Sequence, residues 1–365
     1  MITFSAPTNW DPALIDFYAG LPVTEVFGSL PTAPLGSGRA FHTLPKVDRT
    51  MAERHVAYAR EKGIAFNYIL NAPCMGNMEY DRVEHRRLID HLRWIDSTGV
   101  EAVTVTIPYL IGIIREQFPR LRVKASVIAQ INSVQRALAY QNLGVHEINI
   151  DYMCNRDFKL LAALRQAVTV DLSLLANDQC LYQCPYRLYH YNTTGHSTQE
   201  GHALKGDYYD YCMISCTIEK YSHPEQLIRA RWIRPEDLNF YERQGFSKIK
   251  LSGRNMSIDW IKRAVSAYAA QSYHGNLADI LSGTGFTADG TVHYAIDNDA
   301  LEGFLDYFLT SDCTHSCTQC TYCRAVADRA VSFTPVKADR YLRSILMLRD
   351  GLTSSTVFNE PGDIS

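Results

Sequence analysis

The chain has 365 residues, 46% of them apolar and 21% charged, with 36 Lys plus Arg against 39 Asp plus Glu and a formal net charge of −3. That composition supports a large folded core and argues against disorder. The lack of a basic excess argues against nucleic acid as a partner. No apolar run reaches the ~18 residues that span a bilayer, and the first twenty residues lack the basic and apolar regions of a secretory leader. A cytoplasmic chain without a membrane partner is therefore expected, and its 10 cysteines read as metal ligands or reactive thiols rather than structural disulfides.

In chain order, short β-branched runs alternate with longer amphipathic ones. The predicted strands are Ile2–Ser5, Thr24–Gly28, Ile64–Leu70, Ala102–Ile107, Arg122–Ile128, Glu147–Ile150, Thr169–Leu175 and Lys248–Leu251. Helical patterns cover Arg49–Lys62, Val83–Ser97, Val134–Leu143 and Asp259–Ala270. The first three stop at or just before Gly63, Gly99 and Gly144, which suit the residue after a helix. Eight such strands predict an α/β fold, a (β/α)8 TIM-like barrel over residues 1–275, with a cysteine-bearing insertion after the seventh strand at 176–246. An open dinucleotide-binding sheet lacks its glycine turn. Residues 276–365, opening on the turn-rich stretch 281–291, form a C-terminal appendage.

The cysteines fall in two groups. Cys180 and Cys184, then Cys212 and Cys216, form two C-x3-C pairs inside the insertion. Four thiolates suit a [4Fe–4S] cluster or a structural zinc, and this spacing favours iron–sulfur over the tight C-x2-C turns of zinc folds. Cys313, Cys317, Cys320 and Cys323 lie within eleven residues and predict a second [4Fe–4S] cluster or a zinc. Their C-x3-C-x2-C start matches the radical S-adenosylmethionine signature, but that motif opens a barrel, whereas only 42 residues follow Cys323. Cys74 and Cys154 follow the third and sixth strands, where either could replace one of the insertion's ligands.

Barrel chemistry sits where strands end. The candidate site residues there and in the insertion are Arg254, Arg187, His190 and Asp151. Guanidinium and aromatic groups predict an anionic or aromatic small-molecule partner, gripped by the two-pronged hydrogen bonding of arginine.

The phrases GFSKIKLSGRNMSIDWIKRAVSAY, AREKGIAFNYILNAP, LRWIDSTGVEAVTVTIPYLIGIIREQFPRLRVKASVIAQINS and ALAYQNLGVHEINID resemble, in order, the collagenase-like U32 peptidase family over residues 1–275. Lys250, Leu251, Ser252, Gly253 and Arg254 match its Lys-Ile-Glu-Gly-Arg element, with serine where the family has glutamate. The resemblance implies a barrel carrying a four-cysteine [4Fe–4S] cluster. It also implies an oxygen-independent hydroxylase: members act on the ubiquinone ring precursor and on RNA bases, with prephenate as oxygen donor in parts of the family. The expectation is an iron–sulfur oxidoreductase acting on a small molecule. The alternatives are a collagenase-like peptidase, which lacks a recognisable nucleophile–base pair or H-E-x-x-H motif, and a metal-stapled, non-catalytic assembly subunit. Either a heterodimer or a homo-oligomer is compatible with the sequence.

Overall fold

The computed structural model describes residues 1–206, 208–285, 292–311, 313, 317 and 319–354. The turn-rich stretch is thus described as far as 285, and its remainder lies outside the described residues. Eight parallel strands close a barrel in sequence order: β1 (Thr3–Pro7), β2 (Val23–Gly28), β3 (Ala65–Leu70), β4 (Ala102–Val105), β5 (Arg122–Ala125), β6 (Glu147–Asn149), β7 (Asp171–Leu175) and β8 (Lys248–Lys250). Closure comes from β8 pairing with β1, Phe4 opposite Ile249. Helices alternate with the strands as the periodicity predicts. Arg49–Glu61, Arg82–Ser97 and Val134–Asn142 run toward glycines with positive φ at 63, 99 and 144.

Two expectations needed shortening. β4 and β5 end at Val105 and Ala125, before the predicted Ile107 and Ile128. Pro108 starts the helix Pro108–Gln117 directly after β4. After β5, the Ser126 hydroxyl accepts from Ile128 N–H and turns the chain into a 3-10 turn. Apolar continuity alone extends both strands past these ends.

The chain gathers into two compact units. The first comprises Met1–Asp178, Tyr191–Tyr208 and Arg231–Tyr273, and holds the whole barrel. The second comprises Gln179–His190, Tyr209–Ala230 and His274–Ser365. It contains the antiparallel pair β9 (Tyr294–Ile296) and β10 (Val331–Phe333), together with the helices Tyr211–Ser222, Tyr322–Ala330 and Pro335–Thr353. Ile214, Ile218 and Ile345 form its small apolar cluster. No helix among the described residues is long and apolar enough to cross a membrane.

Strand alternation sorts the barrel residues by face. Phe4, Val26, Phe66, Val103, Val123, Ile148, Leu174 and Ile249 are buried apolar residues of one set. Their neighbours Ser5, Glu25, Asn67, Thr104, Lys124, Glu147 and Ser173 form the other set and are polar. Ser5 Oγ donates to Glu25 Oε1 at 2.6 Å, as does Asn67 Nδ2 at 3.1 Å, and Thr104 Oγ1 donates to Asn67 Oδ1 at 3.0 Å. Lys124 Nζ lies 2.6 Å from Glu25 and 2.9 Å from Glu147. Burial alone would raise the Glu147 carboxyl, but Lys124, with Lys248, outweighs it and holds Glu147 below its ordinary range. Burial would likewise lower Lys124, and the two glutamates hold it raised.

Removing one member of a buried ion network strands the others. Lys124→Met should therefore destabilise the fold by about 3 kcal/mol at neutral pH. The Glu147 contribution is complete above its unfolded value of 4.5 and is lost as pH falls through the lower folded value. That of Lys124 is complete below 10.5 and fades only at higher pH. Denaturant unfolding should therefore show the gap between wild type and variant narrowing below pH 4.5. A gap independent of acid would contradict the assigned ion network.

Candidate functional site

The barrel mouth is assembled by the segments that follow the strands. After β8 the chain runs Leu251, Ser252, Gly253, Arg254. Asn177, just past β7, fixes this turn from both sides: its Oδ1 accepts from Ser252 N–H at 2.7 Å and its Nδ2 donates to Ser252 O at 3.1 Å. Gly253 has φ +139°, and a Cβ there would stand 2.6 Å from Trp260 Cζ3. Only glycine fits that backbone and that gap. The turn delivers Arg254, 6% exposed, so that Nη1 donates to Ser29 Oγ at 2.6 Å.

Arg254, Lys250 and Arg39 line one cavity with Phe27, Asn71, Ser126 and Asp178. The cavity is about 50 Å³, room for a carboxylate-sized head group. Three cations face one carboxylate there, and among the described residues none of the three makes an ion pair. Burial weakens the hold of Arg254 on its proton, and Arg39 adds to this by like-charge repulsion. The guanidinium nonetheless stays cationic at neutral pH. An anion entering the mouth relieves both the repulsion and the desolvation.

The other predicted site residues have different surroundings. Asp151 is 1% exposed, and its carboxylate accepts from Met153 N–H at 3.1 Å, capping the short turn after β6. His190 belongs to the second unit, where Nε2 lies 2.9 Å from Asp210 Oδ2. Asp210 also accepts from Met213 N–H and so caps the helix Tyr211–Ser222. Arg187, too, belongs to the second unit, whereas Arg254 belongs to the first. Cys74 and Cys154 lie in the first unit and the other eight cysteines in the second.

Within the second unit Cys212, Cys216 and Lys220 recur every four residues along one helix and share a face. Burial pushes up the thiols of Cys184, Cys212 and Cys216, that of Cys212 to about 12. Cys184 raises both of the others further, whereas Lys220 opposes the rise at Cys184 and Cys216. Lys220 is 0% exposed and donates to Gly283 O at 2.6 Å, and among the described residues it meets no carboxylate in an ion pair. A buried ammonium needs a counter-charge, and neutral thiols provide none. Four thiolates bound to a metal cluster carry negative charge, so this donor set fits one. In the C-terminal group, Cys320 Sγ lies 3.1 Å from Tyr307 Oη, and Tyr307 stacks on Tyr322 at 3.9 Å. Among the described residues no three His, Cys, Asp or Glu side chains converge as ligands of one ion, so the metal assignments of both cysteine groups rest on number, spacing and charge.

Sequence reading missed Arg39, Ser29 and Lys220. Arg39 and Ser29 lie in the loop after β2, which has no periodicity to mark them. The four-residue spacing from Cys216 to Lys220 was a usable signal.

Gly253→Ala should cost on the order of 3 kcal/mol from backbone strain and the clash with Trp260. Because the same turn carries Arg254, anion affinity should fall with it. A variant with unchanged melting and binding would show that the turn does not depend on glycine.

Residues 46–276 match the family model for peptidase family U32. The chain is 33% identical over 312 residues to the uncharacterized protease MJ1657 of Methanocaldococcus jannaschii, covering 84% of this chain and 88% of that protein. The solved U32 peptidase Mk0906 superposes with a TM-score of 0.54 at 18% identity, over 69% of this chain and 94% of that one, a likeness of fold.

Proposed function

The chain belongs to peptidase family U32, and on that premise we propose that it is an iron–sulfur enzyme that hydroxylates or otherwise oxidises an anionic small molecule without dioxygen. The observation that carries this reading is the barrel mouth, where Arg39, Lys250 and Arg254 stand against the single carboxylate of Asp178. Arg254 would grip a carboxylate or phosphate through its guanidinium fork, with Ser29 holding one edge of that fork in place. Arg39 would add the second positive charge. Cys180, Cys184, Cys212 and Cys216 would hold a [4Fe–4S] cluster, with Lys220 compensating its charge. A cluster of this kind supplies one-electron transfer. Cys313, Cys317, Cys320 and Cys323 would hold the second centre, iron–sulfur or zinc, with Tyr307 bonded to one of its sulfurs.

The residues of the mouth give the peptidase reading little support. Among the described residues its lining contains neither cysteine nor histidine to pair with its two serines, Ser126, which caps a turn, and Ser252. A hydroxyl–imidazole contact does exist between Thr8 and His55 at 2.7 Å, but both side chains are buried and Thr8 Oγ1 already accepts from Trp10 N–H.

Two measurements test the proposal. Protein purified without oxygen should contain iron and acid-labile sulfide. Cys184→Ser should lose one cluster's worth, and Cys320→Ser should separately lose the second centre as iron or as zinc. Full metal content in Cys184→Ser would remove the insertion cluster. Titration calorimetry with malonate and with inorganic phosphate should show binding that Arg254→Lys weakens at least about tenfold, since the charge remains and the fork is lost, at an unchanged melting temperature. Equal affinities would take the anchoring role from Arg254.

A further inference from the structure

Lys250 is the last residue of β8, two residues beyond Lys248 and therefore on the same face of the strand. Its Nζ lies 4.4 Å from the centre of the Phe27 ring. Among the described residues it has neither a hydrogen-bond acceptor nor an ion-pair partner. The nearby carboxylates are already engaged: Glu25 accepts from Ser5, Asn67 and Lys124, and Glu147 is held by Lys124 and Lys248. An amine set into a barrel wall, beside two arginines and without an acceptor, is poorly placed to remain an ammonium and well placed to meet whatever the arginines bind.

We propose that Lys250 is a nucleophile, and that the mouth takes an anion carrying an aldehyde or ketone, with which Lys250 forms an imine. This rests on the anionic-ligand reading above and adds the electrophile to it. The unprotonated Nζ attacks the carbonyl carbon, forming the N–C bond as the C=O π pair moves onto oxygen. Two protons leave nitrogen for that oxygen, which departs as water, and C=N remains. No oxidant or reductant is consumed, and water reverses the step. Protonated at nitrogen, the imine draws electrons from the neighbouring carbon and acidifies its C–H bonds, as lysine imines do with carbonyl substrates.

Electrostatics favours the reactive form. Burial pulls Lys250 down to about 8; Glu25 and Glu147 oppose this, and Lys124 and Arg254 add to it. On the order of a tenth of the amine is then free at pH 7, against about one part in a thousand or less for an ordinary lysine.

Glyoxylate, a small carboxylate bearing an aldehyde, is the probe. The full-length protein is treated with glyoxylate and cyanoborohydride at pH 7, digested and mapped by mass spectrometry, with formaldehyde as the uncharged control. Lys250 should be carboxymethylated at least tenfold more than the mean of the other lysines. Excess malonate should suppress that labelling, and formaldehyde, which has no charge for the arginines to hold, should favour Lys250 less than glyoxylate does. Lys250→Met should lose the label. If malonate binds wild type but glyoxylate spares Lys250, the nucleophile is overturned and the anion site stands. If malonate does not bind at all, the anion reading falls, and the imine with it.

Discussion

The structure depends on one constraint: Lys124, inside the barrel, holds Glu25 and Glu147 together across three strands. Barrel interiors are commonly filled by branched apolar side chains in layers. Here a layer is hydrogen-bonded and ionic from Ser5 through Asn67 to Thr104. Such a network adds little net stability, because desolvation consumes most of the Coulomb gain. What it does secure is register. Slipping β2, β5 or β6 by one residue would turn a charge outward and an apolar side chain in, stranding its partners.

The same network sets the chemistry of the layer above it. With both glutamates held by Lys124, neither pairs with Lys250, and the next positions along the chain bring Arg254 to the mouth beside Arg39. The site therefore has an excess of positive charge that originates in how the interior is neutralised. Asn177 and Gly253 convert that excess into a fixed direction by pinning the turn that carries Arg254.

A second charge imbalance lies on the helix Tyr211–Ser222. Cys212, Cys216 and Lys220 share one face, and the lysine is fully buried without a carboxylate in an ion pair among the described residues. Thiolates bound to a metal, as proposed, would supply that lysine with a counter-charge. Each unit thus holds a buried cation that makes no ion pair among the described residues, and it is on this that the proposed anion and the proposed metal–thiolate group rest.

The local chain determined much of this. Eight β-branched runs and their helix–glycine–strand grammar determined the order of the barrel, because those signals depend on residues a few positions apart. Cysteine spacing singled out the two thiol groups for the same reason, and the element ending in Gly253 and Arg254 was distinctive enough to resemble its family. The helices Pro12–Tyr18, Pro108–Gln117 and Phe158–Ala167 escaped notice, being short or buried in apolar runs that read equally as strand. Only the tertiary structure decided that Glu25, Lys124 and Glu147 meet, that Lys250 is left without a counter-charge, and that Arg39 joins Arg254. Each of these contacts links residues tens to hundreds of positions apart, and Coulomb energy depends on distance through space and on burial. The linear sequence encodes neither until the barrel closes.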